Sequence, residues 1–179
     1  MGVLGKHNAL NALAAAGAAW MMGIPGEAVA SGLLTFHGAG RRMEFKGKWG
    51  GADIYDDYAH HPDELAATID SVRASMPGRR LVLAFQPHTY TRTSALFEDF
   101  VQKLKQADVV VLAEIYAARE RNTIGISSAH LAEQIPGSVF CETLPEVTAF
   151  LKENIKEGDV VLTMGAGDIF RAGEALLEE

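Results

Sequence analysis

Apolar positions along the chain follow two textures, and the change falls near residue 40. Residues 7–22 are dense in alanine, with leucine and methionine interspersed, and Gly23 and Pro25 follow. That is a strong helix-forming run with a clear stop. A second short helix is predicted over 26–35, ending before Gly38-Ala39-Gly40. From Met43 onward strands and helices alternate. Residues 43–48 and 52–56 read as strands joined by a hairpin-like turn at Trp49-Gly50-Gly51. Over 62–76, Leu65, Ile69, Val72 and Met76 fall on one stripe, with Asp63 and Glu64 in the first turn, where acids are favourable. The continuous apolar runs 81–85 and 109–112 mark strands buried on both faces. Helices are predicted over 93–106 and 127–135, with a brief strand at 138–141 after them. Thr143-Leu-Pro-Glu146 is a capping-box pattern opening a helix over 144–156. A last strand at 160–163 and a last helix at 169–177 complete the pattern.

Such alternation implies right-handed crossovers and a mostly parallel sheet with helices on both faces. The expected class is α/β, Rossmann-like, preceded by a short helical segment. The glycine pair and Arg41-Arg42 read as a hinge between the two. With 179 residues the chain suits one full domain and a piece of another. The stretch 9–24 is too short for a membrane span and is interrupted by Asn11, and Lys6 alone makes a poor signal-peptide start. A helix packed on a neighbour is the better reading. The net charge of −7, with no run of Lys or Arg longer than two, argues against nucleic acid as a partner. Cys141 is the single cysteine, so no internal disulfide is available, which fits a reducing compartment.

Candidate chemistry concentrates where strands end. Residues 54–62, Ile-Tyr-Asp-Asp-Tyr-Ala-His-His-Pro, run from an apolar strand into two carboxylates, a phenol and two imidazoles before a helix. In a parallel sheet the loops after each strand share one edge, where ligands bind. That edge would gather Asp56, Asp57, Tyr58, His60 and His61 with the loops 86–93, 114–120 and 164–168. A dedicated metal cage on the acids and histidines is not expected, because adjacent histidines rarely face one point and no helical H-x-x-x-H pair is present. Arg92 stands at a predicted helix start, suited to holding a small carboxylate, with an ion pair to Glu98 or Asp99 as the plainer alternative. Asn8 and Asn11 share one face of the first helix, and Asn8 could simply cap it. Gly165-Ala-Gly167 sits between strand and helix, but Phe170 breaks a G-x-G-x-x-G fingerprint and no Walker A sequence occurs. Those glycines are read as allowing a tight turn and close packing. No G-x-S-x-G elbow is present either, which weakens a hydrolase reading.

Five motifs occur together and in order: His7-Asn-Ala-Leu-Asn-Ala12, Gly40-Arg-Arg-Met-Glu44, Asp56-Asp-Tyr-Ala-His-His-Pro62, Gln86-Pro-His-Thr-Tyr-Thr-Arg-Thr93 and Thr163-Met-Gly-Ala-Gly-Asp168. This set closely resembles the Mur ligase family of bacterial peptidoglycan synthesis, in its alanine-adding branch, over essentially the whole chain. The related branch that reattaches murein tripeptide typically has E-P-R-S-N where this chain has Gln86-Pro-His-Thr-Tyr. Many relatives carry Arg at the position of Thr89, and no role is assigned to Thr89.

The resemblance implies that residues 1–40 are the last helices of a central ATP-binding domain and 41–179 a C-terminal Rossmann-like domain. It implies a cytoplasmic bacterial enzyme that uses ATP and Mg2+ to join L-alanine to UDP-N-acetylmuramate through an acyl phosphate. The phosphate-loop lysine, the magnesium ligands and the UDP-sugar domain would lie in sequence outside this chain. The piece alone is therefore expected to be inactive, with no metal ligands of its own. Carried over by motif, Asn8 and Asn11 meet adenine, Asp57 the ribose, and Arg42 the phosphates. Arg92 holds the alanine carboxylate, with Tyr58, His60 and His88 lining the same pocket, and His60 is the favoured base. Arg42 and His60 are the candidate catalytic residues, and Tyr116 and Arg119 resemble a further loop near the site. Alternatives are the murein-tripeptide ligase, a binding module without turnover, and a metal-dependent hydrolase on Asp56, Asp57, His60 and His61. The last predicts stoichiometric zinc or manganese.

Overall fold

A computed structural model describes the backbone of residues 6–178 and the side chains from Asn8 to Glu178. His7 is helical, but its side chain lies outside the described residues. Six strands form one sheet in the order β1-β2-β6-β3-β4-β5. They are β1 (Glu44–Trp49), β2 (Ala52–Asp57), β3 (Leu81–Phe85), β4 (Val109–Ala113), β5 (Val139–Cys141) and β6 (Val160–Met164). The β1–β2 pair is antiparallel, and Gly50 and Gly51 between them both take positive φ (55° and 80°), as a tight primed hairpin turn demands. The remaining pairings are parallel. The α/β expectation with a mostly parallel sheet therefore holds.

Register decides where the site lies. Asp57 and Phe85 both align with Met164, and Phe85 aligns with Leu112, so β2, β6, β3 and β4 end level. Their following loops open on one edge. The strands are apolar on both faces because helices cover both. On one side Leu83, Phe85 and Leu162 meet Leu65, Ile69 and Val72 of α3 (Pro62–Ser75) and Phe100 and Leu104 of α5 (Phe97–Leu104). On the other, Ile54, Val82 and Val161 meet Val147 and Leu151 of α7 (Leu144–Asn154) and Leu176 of α8 (Phe170–Leu177). Each such side chain stabilises the domain by roughly 1.5–3 kcal/mol. α6 (Ser128–Gln134) completes the first layer with Leu131.

Two expectations change. A single helix over 93–106 was predicted, but α4 (Tyr90–Ala95) and α5 are separate, broken at Leu96 with φ −114° and ψ 23°. The start of α4 is fixed by the loop after β4, where Glu120 accepts the Thr91 N–H at 2.9 Å, while burial of Phe100, Val101 and Leu104 aims α5. One straight helix cannot satisfy both. Second, α1 (Lys6–Met21) already includes Asn8, so Asn8 is not its cap. α1 lies against α2 (Gly26–Thr35), yet none of the described side chains of either helix is buried. Leu13, Trp20, Met21, Met22 and Leu34 are all exposed. No described helix is long and apolar enough to cross a membrane.

Candidate functional site

The two adjacent histidines divide their work. His61 is the N-cap of α3: its Nδ1 accepts the Asp63 N–H at 3.3 Å, and Glu64 Oε2 accepts the N–H groups of His60 (3.0 Å) and His61 (3.2 Å). The cap turns His60 the other way. Its Nδ1 lies 3.0 Å from the Tyr58 carbonyl, which can only accept, and 3.4 Å from Glu64 Oε2, so the neutral ring would carry its proton on Nδ1 and its lone pair on Nε2. The Tyr58 ring meets the His60 ring edge-on at 5.4 Å, and His60 lies 5.9 Å from His88. His88 stacks on Tyr116 at 5.6 Å with 16° between the planes.

His88 and Arg92 carry the least satisfied groups at this edge. Nδ1 of His88 and Nη1 of Arg92 are shut off from solvent and bond to nothing in the protein. A buried polar atom without a partner costs about 1–3 kcal/mol, so two together need an explanation. Burial, then the charge of Arg92 and the nearby His60 ring, hold the His88 pKa below the ordinary histidine value. Among the described residues no ion pair joins Arg92 to Glu98 or Asp99, so that plainer alternative is not realised. Backbone bonds between the loops fix the pair. Thr89 N–H donates to the Tyr116 carbonyl at 2.9 Å, and Tyr116 N–H to the Pro87 carbonyl at 2.9 Å. Thr89 takes φ 68°, a conformation a β-branched residue adopts only under constraint.

A second cluster borders this one. A cleft of ≈ 550 Å³ between α1, α2 and the segment 36–42 is lined by Asn8, Asn11, Leu33, Phe36 and Arg42. It adjoins a smaller cavity of ≈ 180 Å³, which shares Asn8 and Arg42 and adds Asp57 and Thr68. The four residues assigned to a nucleotide by motif thus line two neighbouring cavities that share Asn8 and Arg42. Arg42 joins the two clusters, its guanidinium 5.7 Å from the Tyr58 ring. Asp57 is buried, and its oxygens accept the N–H groups of Met43 (2.9 Å) and Ala59 (2.8 Å). Burial raises its pKa, and those two bonds oppose the rise.

The glycine loop after β6 does what its spacing suggested. A Cβ on Gly165 would stand 2.6 Å from the Gln86 carbonyl, and one on Gly167 would stand 2.7 Å from Tyr116 Cγ. The loop packs under Gln86, whose amide donates to Asp168 Oδ1 at 3.1 Å and accepts the Ile169 N–H at 3.1 Å. Arg41 went unassigned among the site residues, and the structure makes it a centre of contacts. Its Nε lies 2.7 Å from the buried Asp56 carboxylate. In sequence, position 41 stood out only as the first arginine of the Gly40-Arg-Arg-Met-Glu44 motif, with no contact implied. No group of three or more His, Cys, Asp or Glu side chains among the described residues is placed to hold a metal ion. Tyr116 is at the edge beside His88, and Arg119 is exposed.

Residues 41–167 match the family described as Mur ligase, glutamate ligase domain. Similar curated proteins include the UDP-N-acetylmuramate–L-alanine ligases of Agathobacter rectalis (48% identical) and Lachnospira eligens (47%). They align over 100% and 99% of this chain, and over 40% and 39% of their own lengths. The chain therefore spans about two fifths of the curated relatives it matches. Among solved structures, the UDP-N-acetylmuramate-alanine ligase of Thermotoga maritima superposes with TM-score 0.82 at 28% identity, covering 98% of this chain and 38% of that one. A murein peptide ligase of Psychrobacter arcticus superposes with TM-score 0.64 at 26% identity, over 97% and 37%. With the family match running from residue 41 through the last strand and its glycine loop, this chain belongs to the Mur ligase family.

Proposed function

We propose that this chain is part of an ATP-dependent ligase that joins L-alanine to UDP-N-acetylmuramate through an acyl phosphate in bacterial peptidoglycan synthesis. Residues 41–179 serve as its C-terminal domain and residues 1–40 as the last helices of its central domain, in the cytoplasm. The observation that carries this reading is the pair of buried, partnerless nitrogens on His88 and Arg92. They suit a small carboxylate, in a chain whose 47–48% identical relatives are named for alanine ligation. The division near residue 40 draws support from α1 and α2, whose exposed Trp20, Met21 and Met22 suit a surface covered by other parts of a longer protein.

In this reading Arg92 fixes the alanine carboxylate, and His60 Nε2 takes a proton from the ammonium group, since only the free amine is nucleophilic. The amine then attacks the acyl-phosphate carbonyl and the C–N bond forms, the C–O bond breaks with its electron pair leaving on phosphate, and the second proton lost by nitrogen goes to the released phosphate. Arg42 faces the transferring phosphates and offsets their charge. Asn8 and Asn11 serve adenine. Asp57 accepts from the ribose hydroxyls with the lone pairs its backbone bonds leave over. Mg2+ would enter with ATP and would supply charge that offsets the phosphates. The described residues offer no cluster to hold it, and no step is assigned to it on this chain.

The test mixes this chain with a separately expressed N-terminal and central portion of a relative, UDP-N-acetylmuramate, ATP, Mg2+ and L-alanine. Phosphate release that needs both polypeptides and disappears with Arg92→Ala is the expected result. Turnover by this chain alone, or release indifferent to Arg92→Ala, would overturn the reading.

A further inference from the structure

Arg41 makes directed contacts through its guanidinium, both its faces and its backbone. Its side chain leaves a backbone in the left-handed region (φ 56°), where non-glycine residues are uncommon. The guanidinium spreads its fork over three acceptors on two strand ends. Nε donates to Asp56 Oδ2 at 2.7 Å, Nη2 to the Gly165 carbonyl at 2.7 Å, and Nη1 to the Gly167 carbonyl at 3.1 Å. Its faces lie against Tyr58 (5.0 Å to the ring centroid) and Phe170 (4.7 Å). The backbone adds two more ties: Arg41 N–H donates to Glu44 Oε2 at 2.7 Å, and its carbonyl accepts the Tyr58 N–H at 2.7 Å. Asp56 is only 1% exposed, and Thr163 Oγ1 is its other side-chain partner, at 2.8 Å.

We propose that Arg41 is a positioning residue that fastens the hinge segment to the sheet edge and so sets both neighbouring parts of the site. On its chain side it fixes where Arg42 leaves the hinge toward the cleft lined by Asn8 and Asn11. On its through-space side it holds Tyr58, whose carbonyl in turn fixes the protonated nitrogen of His60. Arg41 touches neither proposed ligand, and it acts through Arg42 and Tyr58. A point charge cannot replace it. Lysine can face Asp56 but cannot also reach two carbonyls in the plane of a fork. The assignment of the cleft to a nucleotide rests on the proposed function above, whereas the fastening itself does not.

The experiment compares wild type, Arg41→Met and Arg41→Lys in this chain by amide hydrogen exchange and by MgATP titration. In both variants the Tyr58 amide is expected to exchange at least about tenfold faster, while amides of β3 keep their protection. Arg41→Lys, which keeps a charge opposite Asp56, serves as the decisive variant if Arg41→Met unfolds. If wild type binds MgATP, both variants are expected to weaken it at least about tenfold, with no rescue by lysine. Unchanged Tyr58 exchange in Arg41→Lys, or full nucleotide affinity there, would overturn the positioning role. Absence of MgATP binding to wild type would count against the nucleotide reading alone, and the exchange result would then decide the fastening.

Discussion

Gly167→Ala should unravel the site edge from beneath. The added Cβ would stand 2.7 Å from Tyr116 Cγ and 2.8 Å from its Cβ, and closer still to Gln86 Oε1. Tyr116 cannot retreat cheaply, because its N–H and carbonyl are bonded to Pro87 and Thr89. Gln86 must therefore give way, and its amide is what satisfies the buried Ile169 N–H. Overpacking of this kind costs about 1–3 kcal/mol, and an orphaned buried N–H about 1–3 kcal/mol more. A loss of about 2–6 kcal/mol follows, and at roughly 2–4 °C per kcal/mol the thermal midpoint falls by at least about 4 °C. Near-UV circular dichroism during heating reads it, because Tyr55, Tyr90 and Tyr116 lie in the α/β domain, as does far-UV ellipticity at its cooperative transition. A midpoint within about 1 °C of wild type would refute the claim that these glycines exist for close approach.

Thr143→Ala removes the oxygen that caps α7, which accepts the Glu146 N–H at 3.4 Å, and should cost about 1 kcal/mol in urea unfolding. Gly17→Ala, with nothing within 4 Å of the new methyl, should instead slow amide exchange within α1, by up to about 1 kcal/mol of helix propensity. Thr89→Gly relieves the φ 68° strain and should raise stability by about 0.5–1 kcal/mol, while leaving the backbone bridge to Tyr116 intact by NMR. His88 binds its proton more weakly in the folded chain than at the ordinary value of 6.5. Its contribution to stability is complete above about pH 6.5 and is lost as pH falls through the window below, where the unfolded chain holds more protons. His88→Gln should flatten that slope in urea unfolding measured between about pH 5 and 6.5, and an unchanged slope would sink the assignment.

Periodicity located the strands because each is buried on both faces, so continuous runs such as 81–85 left little ambiguity. It also found the Thr143 cap and the stripe of α3, which depend on local spacing. The break at Leu96 was illegible because it arises from Glu120, which reaches Thr91 across 29 positions of sequence. Loop residues at the sheet edge could be gathered from topology alone, since level strand ends follow from parallel pairing. Which of them carry unmet hydrogen bonds could not, because that depends on side chains packing from three loops. The two adjacent histidines show the difference. Sequence placed both, and only geometry separates the cap His61 from the site residue His60. The contacts of Arg41 were illegible for the same reason, two of its three side-chain acceptors lying 124 and 126 positions away.

The central claim is that His88 and Arg92 form a carboxylate site for a small amino acid. Titration of L-alanine into the 15N-labelled chain, followed at the Arg92 side-chain N–H groups and the His88 ring, tests it most directly. The account predicts saturable shifts at both residues, weaker with D-alanine and abolished by Arg92→Ala. Shifts that survive Arg92→Ala, or no saturable shift at either residue, would contradict it.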